Sequence, residues 1–166
     1  MRSMLSACAL LLAACHPLSA AEENAPASRP TPSAPSSPAS PTEWTITSID
    51  WDDADSGDIN GVRFRLSNVD APETGGVGAA VGAALCEAER TRGVAARTWI
   101  EELTRDPSTL RITNAHGYDR MERPRLLIDL SVNGVDVGRA GIEAGHLAAW
   151  PHDGARALGP KPDWCG

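Results

Sequence analysis

From Trp44 onward the chain alternates polar and apolar positions in short stretches. Trp44-Thr45-Ile46-Thr47-Ser48-Ile49 places β-formers at every other position, and Val62-Arg63-Phe64-Arg65-Leu66 repeats the pattern, so each predicts a half-buried strand. Asn60-Gly61 between them is a hairpin dipeptide, and together these segments predict a three-stranded opening meander. The period then lengthens. Between Glu87 and Leu103, residues Gly93, Ala96, Ile100 and Leu103 share one helical face while Arg90, Arg97 and Glu101 fall elsewhere, which predicts an amphipathic helix. Gly93 on the buried face predicts a close approach of that helix to the sheet. Strand alternation returns at Leu110 to Asn114 and at Arg125 to Val132, and Asn133-Gly134 turns the chain into a second helix near Val137 to Ala144. Gly145 reads as its C-terminal cap. Gly138 and Gly141 weaken that helix by up to about 1 kcal/mol each, so packing must hold it.

Strands, a helix, more strands and a helix in this order predict an α+β domain, mainly β. The architecture that suits them is a small five-stranded β-barrel of the oligonucleotide-binding (OB) kind with two to three packed helices. Composition alone fits other α+β domains as well.

The first 43 residues follow a different pattern. Met1-Arg2 and the apolar run Met4 to Ala14 read as an export signal within residues 1–21, too short to span a bilayer. Leu12-Ala13-Ala14-Cys15 resembles a lipobox, with Cys15 as the acylated residue and His16 after it pointing to an outer-membrane destination. Ordinary cleavage after Ala21, leaving a soluble periplasmic or secreted protein, is the alternative. Residues 22–43 are rich in Pro, Ala and Ser and poor in large apolar side chains, so burial cannot offset their ordering entropy and they predict a disordered tether. The folded domain is expected over residues 44–166.

Export changes the meaning of the cysteines. Of the four in the 166-residue chain, Cys86 and Cys165 lie in the exported domain, and in an oxidising compartment they predict a disulfide worth about 4 kcal/mol in the chain-entropy model. No Cys or His spacing suggests zinc.

The chemistry concentrates in Arg65-Leu66-Ser67-Asn68-Val69-Asp70-Ala71-Pro72-Glu73. A strand from Arg65 to Val69 delivers Asp70 and Glu73 to a rim where the backbone turns at Pro72, and acids at a strand end can hold a hard cation and a water. Each residue also has a bland reading. Asp58 stands among Asp50, Asp52, Asp53 and Asp55 in what is otherwise a solvated turn, Asp70 and Glu73 can cap a helix, and Arg65 can pair with Asp70. His116, His146 and His152 lack metal-like spacing and read as loop or surface positions; Trp99, Trp150 and Trp164 read as packing residues.

Ser56-Gly57-Asp58-Ile59, Phe64 to Glu73, Asp119-Arg120-Met121-Glu122-Arg123 and Val135-Asp136-Val137 through Gly145-His146-Leu147-Ala148 resemble, in order and spacing, the staphylococcal nuclease (thermonuclease) family. The resemblance implies a calcium-dependent endonuclease and exonuclease acting on DNA and RNA and leaving 3′-phosphates. It implies Asp58, Asp70 and the backbone carbonyl of Ala71 as calcium ligands, Glu73 as general base, and Arg65 and Arg123 as phosphate clamp. It also implies a monomer. The family has Asp-Gly-Asp-Thr where this chain has Ser56-Gly57-Asp58-Ile59, and Tyr-Gly where this chain has Met121-Glu122. A net charge of −7 predicts weak, salt-sensitive binding of nucleic acid, with calcium supplying much of the local positive field. Two other classes remain open: a catalytically weak or silent nucleic-acid-binding barrel, and a surface lipoprotein whose acids bind calcium for stability.

Overall fold

The computed structural model describes residues 43–153 and 156–166. The expected export signal, Cys15 and the expected tether up to residue 42 lie outside the described residues. The chain opens with a meander of β1 (Ile49–Trp51), β2 (Ser56–Ile59) and β3 (Val62–Leu66), each antiparallel to the next. Asn60 and Gly61 turn β2 into β3 with φ of 51° and 78°, the left-handed pair that a two-residue hairpin of matching twist requires.

The expected strand over residues 44–49 is displaced towards the C-terminus. Asn60 Oδ1 accepts from the backbone N–H groups of Thr47 (2.8 Å) and Ser48 (3.1 Å), while its amide donates to the Thr45 carbonyl at 2.8 Å. A side chain thus takes groups that a strand ladder would have used. Gly57 in β2 answers to a packing demand, because a Cβ there would lie 2.0 Å from the Asp50 carbonyl oxygen in β1.

After β4 (Val69–Asp70) comes α1 (Glu87–Leu103), with the bounds that the apolar period predicts. A short 3₁₀ turn leads into β5 (Leu110–Tyr118), then β6 (Leu126–Val132), β7 (Val135–Asp136) and α2 (Val137–Glu143). The short strands β8 (Ala148–Ala149), β9 (His152–Asp153) and β10 (Arg156–Ala157) follow. The main sheet runs β1-β2-β3-β6-β5, with β3 parallel to β6 and β7 attached to β6; β4 pairs with β8 and β9 with β10. Among the described residues this sheet is open, with β1 and β5 at its edges, so the fold is α+β and mainly β with two α-helices but no closed five-stranded barrel. With Thr45, Thr47 and Ser48 tied to Asn60, β1 is left only three residues long.

The core lies between this sheet and the helices. Ile59, Phe64, Ile128 and Leu130 from the sheet meet Ile100 and Ala96 of α1 and Val137 of α2, and each large apolar side chain so buried contributes about 1.5–3 kcal/mol. Trp51 packs edge-on against Phe64 at 5.0 Å, and its indole N–H donates to Thr104 Oγ1 at 2.9 Å, fixing the end of α1 to β1. Trp99 stacks on His146 at 5.0 Å beside the core, as a packing residue.

Gly93 faces the site loop. A Cβ on it would meet the carbonyl oxygens of Glu73 at 2.3 Å and Pro72 at 2.7 Å, so at Gly93 the close approach of α1 is to the Pro72-Glu73 backbone and not, as expected, to the sheet. Gly93→Ala gains about 1 kcal/mol of helix propensity but faces backbone that cannot rotate away, an overpacking cost of about 1–3 kcal/mol. The net expectation is a lower melting temperature by calorimetry, together with reduced function from displacement of Glu73.

Candidate active site

Strand β3 does not continue to Val69. It ends at Leu66, the chain turns at Ser67-Asn68 with Asn68 at φ 59°, and β4 sets off in a new direction against β8. Asn68 holds the turn, its carbonyl accepting from Trp150 N (2.9 Å) and its Oδ1 from His152 N (3.0 Å). The turn lets Arg65, Asp70 and Glu73 converge.

Arg65 is the hub. Its Nη1 lies 2.6 Å from Asp55 Oδ1, and its Nη2 donates to the Val69 carbonyl at 3.1 Å and lies 3.5 Å from Asp70 Oδ1. Asp55 Oδ2 accepts the Ala71 N–H at 2.8 Å, so one carboxylate binds both the guanidinium and the loop that carries Asp70. Asp55 and Asp70 are 2% and 1% exposed. Burial, with repulsion from Asp53 and Asp70, pushes the Asp55 carboxyl well above its ordinary range against the opposing pull of Arg65. Burial also raises Asp70, opposed by Trp164, Lys161 and Arg65.

Glu73 is placed by its neighbours on both sides. Its carbonyl rests on Gly93, and its N–H donates to Oε1 of the buried Glu89 at 3.3 Å. Glu89 Oε2 accepts from Leu85 N at 2.6 Å, so this α1 carboxylate holds both ends of the intervening loop. The Glu73 side chain meets Lys161, whose ammonium lies 2.9 Å from Glu73 Oε1 and 3.6 Å from Asp70 Oδ1. Burial alone would lower the Lys161 pKa, but Glu73, Asp70 and Asp55 outweigh it and hold the amine above its usual value. Trp164 Nε1 donates to Asp70 Oδ2 at 2.9 Å. Trp164 is carried by the C-terminal segment, which the disulfide between Cys86 and Cys165 fastens to the N-cap of α1.

These groups open into a cleft of about 740 Å³ whose walls include Trp150, His116, Arg120 and Arg125. Arg65 lies over the Trp150 ring at 5.7 Å, so Trp150 forms part of the cleft wall, and Trp164 donates to Asp70; both pack outside the hydrophobic core. His116 sits on β5, 2.9 Å from Asp129 Oδ2.

Of the residues expected to act, Arg65, Asp70, Ala71 and Glu73 come together, whereas Asp58 and Arg123 do not join them. The register of β2 against β3 sets Ser56 opposite Arg65 and Asp58 opposite Arg63, and Asp58 lies 3.7 Å from Arg63 outside the cleft lining. Arg123 is exposed and also outside the lining, while Arg125 lines the cleft with its Nε 2.8 Å from Asp119 Oδ2. Burial alone would raise Asp119, but the N–H and guanidinium of Arg125 and the Met121 N–H hold it below its usual value.

Asp55, Glu89 and Lys161 contact the group of Arg65, Asp70, Ala71 and Glu73, and Arg125 lines the cleft; motif spacing singles out none of them. Within Ser56-Gly57-Asp58, Gly57 serves the close approach of β2 to β1. The usable signal was strand phase, since Asp55 immediately precedes β2 and Arg125 immediately precedes β6.

Asp55, Asp70, Glu73 and the Ala71 carbonyl would offer a hard cation only oxygen, the donor chemistry calcium takes. Burial raises the Asp55 and Asp70 carboxyls, and an ammonium already lies against Asp70 and Glu73, so the residues fit a cation in charge and donor type. No ready-made cage of three or more His, Cys, Asp or Glu side chains is found among the described residues. No protein-family model matches this chain, and no curated protein is significantly similar to it.

Proposed function

We propose that the chain is a calcium-dependent nuclease of the staphylococcal nuclease kind, hydrolysing phosphodiester bonds of DNA and RNA to 3′-phosphate products. The observation that carries the reading is the Arg65 guanidinium held between the buried Asp55 and Asp70, with Arg65, Asp70 and Glu73 lining one cleft. The strand order, with β3 parallel to β6 between two antiparallel pairs, supports an OB-type barrel as the scaffold. Export with a lipid anchor at Cys15, and a monomeric state, belong to the same proposal.

Asp70 and the Ala71 carbonyl would hold calcium with a second carboxylate, Asp58 by motif or Asp55 where its bonds to Arg65 and the Ala71 N–H open. Bound calcium supplies charge neutralisation at the scissile phosphate. Arg65 keeps its guanidinium aimed by Asp55 and the Val69 carbonyl, ready to donate to phosphate oxygens as negative charge develops there. Glu73 accepts the proton of the attacking water. Arg125 or Arg123 completes the clamp, and the position of Arg125 in the cleft wall favours Arg125.

The test is degradation of plasmid and single-stranded DNA and of RNA by the full chain, with added calcium or with chelator. Calcium-dependent cleavage, about tenfold or more weaker in Arg125→Ala than in Arg123→Ala, is the expected result. Cleavage that persists in chelator, or none at any calcium level, sinks the reading. The second outcome, if nucleic acid is still bound, favours the silent binding barrel, a reading to which the lysine on Glu73 also lends weight.

A further inference from the structure

The C-terminal segment Pro160 to Gly166 belongs to no helix or strand, yet three of its side chains reach the site or its fastening. Lys161 contacts both Glu73 and Asp70, Trp164 donates to the second oxygen of Asp70, and Cys165 is bonded to Cys86. Arg92 of α1 adds a hydrogen bond to the Trp164 carbonyl at 2.7 Å. Asp70 therefore has Oδ1 facing Arg65 and Lys161 and Oδ2 committed to Trp164, and Glu73 Oε1 is committed to Lys161. None of these contacts is a backbone ladder. A segment held only by side chains and one covalent link lies at the low end of local stability, where opening is easiest.

We propose that this segment is an intrasteric strap, in which the Lys161 ammonium stands in for a divalent cation and Trp164 covers Asp70, so that strap and calcium compete for the same carboxylates. The inference rests on the reading of Asp70 as a calcium ligand with the base Glu73 beside it. The disulfide matters because it keeps the strap at high effective concentration beside the site once it has lifted. A strap seated about 90–99% of the time lowers apparent calcium affinity by about 10–100-fold and so sets the calcium level at which the site loads. Trp164 follows the strap: its indole leaves Asp70 when calcium enters.

Calcium titration of the full chain by calorimetry, with tryptophan fluorescence recorded in parallel, tests this without reference to cleavage. The comparison is wild type, Lys161→Met, and the double variant Cys86→Ser/Cys165→Ser. Both variants are expected to bind calcium at least about tenfold more tightly than wild type, the second while keeping its lysine charge. That pairing separates the strap from mere loss of a positive charge, which the cysteine variant does not suffer. Lys161→Met keeps the disulfide and guards against a folding defect in the other variant. Calcium binding that is equal in wild type and Lys161→Met overturns the strap and leaves the nuclease reading standing. Tightening in Lys161→Met but not in a folded cysteine variant overturns the role of the disulfide. No calcium binding by any of the three overturns the cation site itself.

Discussion

Arg65→Met is expected to cost the fold about 3–5 kcal/mol and to lower nucleic-acid cleavage by about 10²–10³-fold. The guanidinium is the cation nearest to Asp55, at 2.6 Å, and lies 3.5 Å from Asp70; both carboxyls are almost wholly buried. Methionine fills similar space but leaves those two groups facing each other, and an orphaned buried charge is costlier than a missing surface pair. Arg65→Lys separates the two effects. A single ammonium can neutralise Asp55 but cannot reproduce the fork that also reaches the Val69 carbonyl, so most stability should return and little of the cleavage. Urea unfolding and initial cleavage rates, measured on the same preparations, check both. The deficit should also depend on pH. Asp55 is raised by burial and by its acidic neighbours, and Asp70 by burial, so each binds more protons folded than unfolded. Such groups cost stability as pH rises through the window above the unfolded carboxyl value of about 4 and cost nothing below it, so the methionine variant should regain part of its deficit on acidification. A deficit unchanged between pH 7 and pH ~4.5 would contradict the assignment of the loss to unpaired carboxylates.

What was legible in the sequence was whatever depends on local period. The Gly93-Ala96-Ile100 stripe marks α1 end to end, and Asn60-Gly61 and Asn133-Gly134 mark two turns whose residues adopt the left-handed conformation. Alternation failed at Trp44 to Ser48 because a distant side chain, Asn60, competed for the backbone there, and no window on the local sequence contains that partner. Arg65, Asp70 and Glu73 were legible as a group although the continuous strand expected between them is a strand, a turn and a second strand. Their joint spacing survives the break because Asn68 makes the turn tight. Asp58 and Arg123 follow from motif register alone, whereas Asp55 and Arg125, a few positions away, are the ones that contact Arg65 and line the cleft respectively. Lys161 and Trp164 could not be found this way. They reach the site through a tertiary approach that the Cys86–Cys165 link makes possible across a sequence separation of 79 residues.

Glu73→Gln is the substitution that tests chemistry with the least disturbance to structure. The Glu73 side chain is 24% exposed, and its one direct partner among the described residues is Lys161, so an amide of the same shape keeps an acceptor for the ammonium and changes stability by no more than about 1 kcal/mol. The backbone contacts that place the residue, to Glu89 and Gly93, do not involve the side chain. What glutamine lacks is the capacity to take a proton from water near neutral pH. Removing a positioned general base lowers turnover by about 10²–10⁴-fold, so cleavage at saturating calcium should fall by at least about a hundredfold while the melting temperature holds. Calcium affinity decides between two roles for the same carboxylate. If Glu73 is the base, affinity stays within a few-fold of wild type and only turnover collapses. If Glu73 is chiefly a ligand, affinity drops and higher calcium restores cleavage, an outcome that would reassign the base to another group in the cleft. Glu73 also meets Lys161, which adds a signature of its own: weakening that contact favours strap opening, so the glutamine variant should bind calcium no more weakly than wild type while cutting far more slowly.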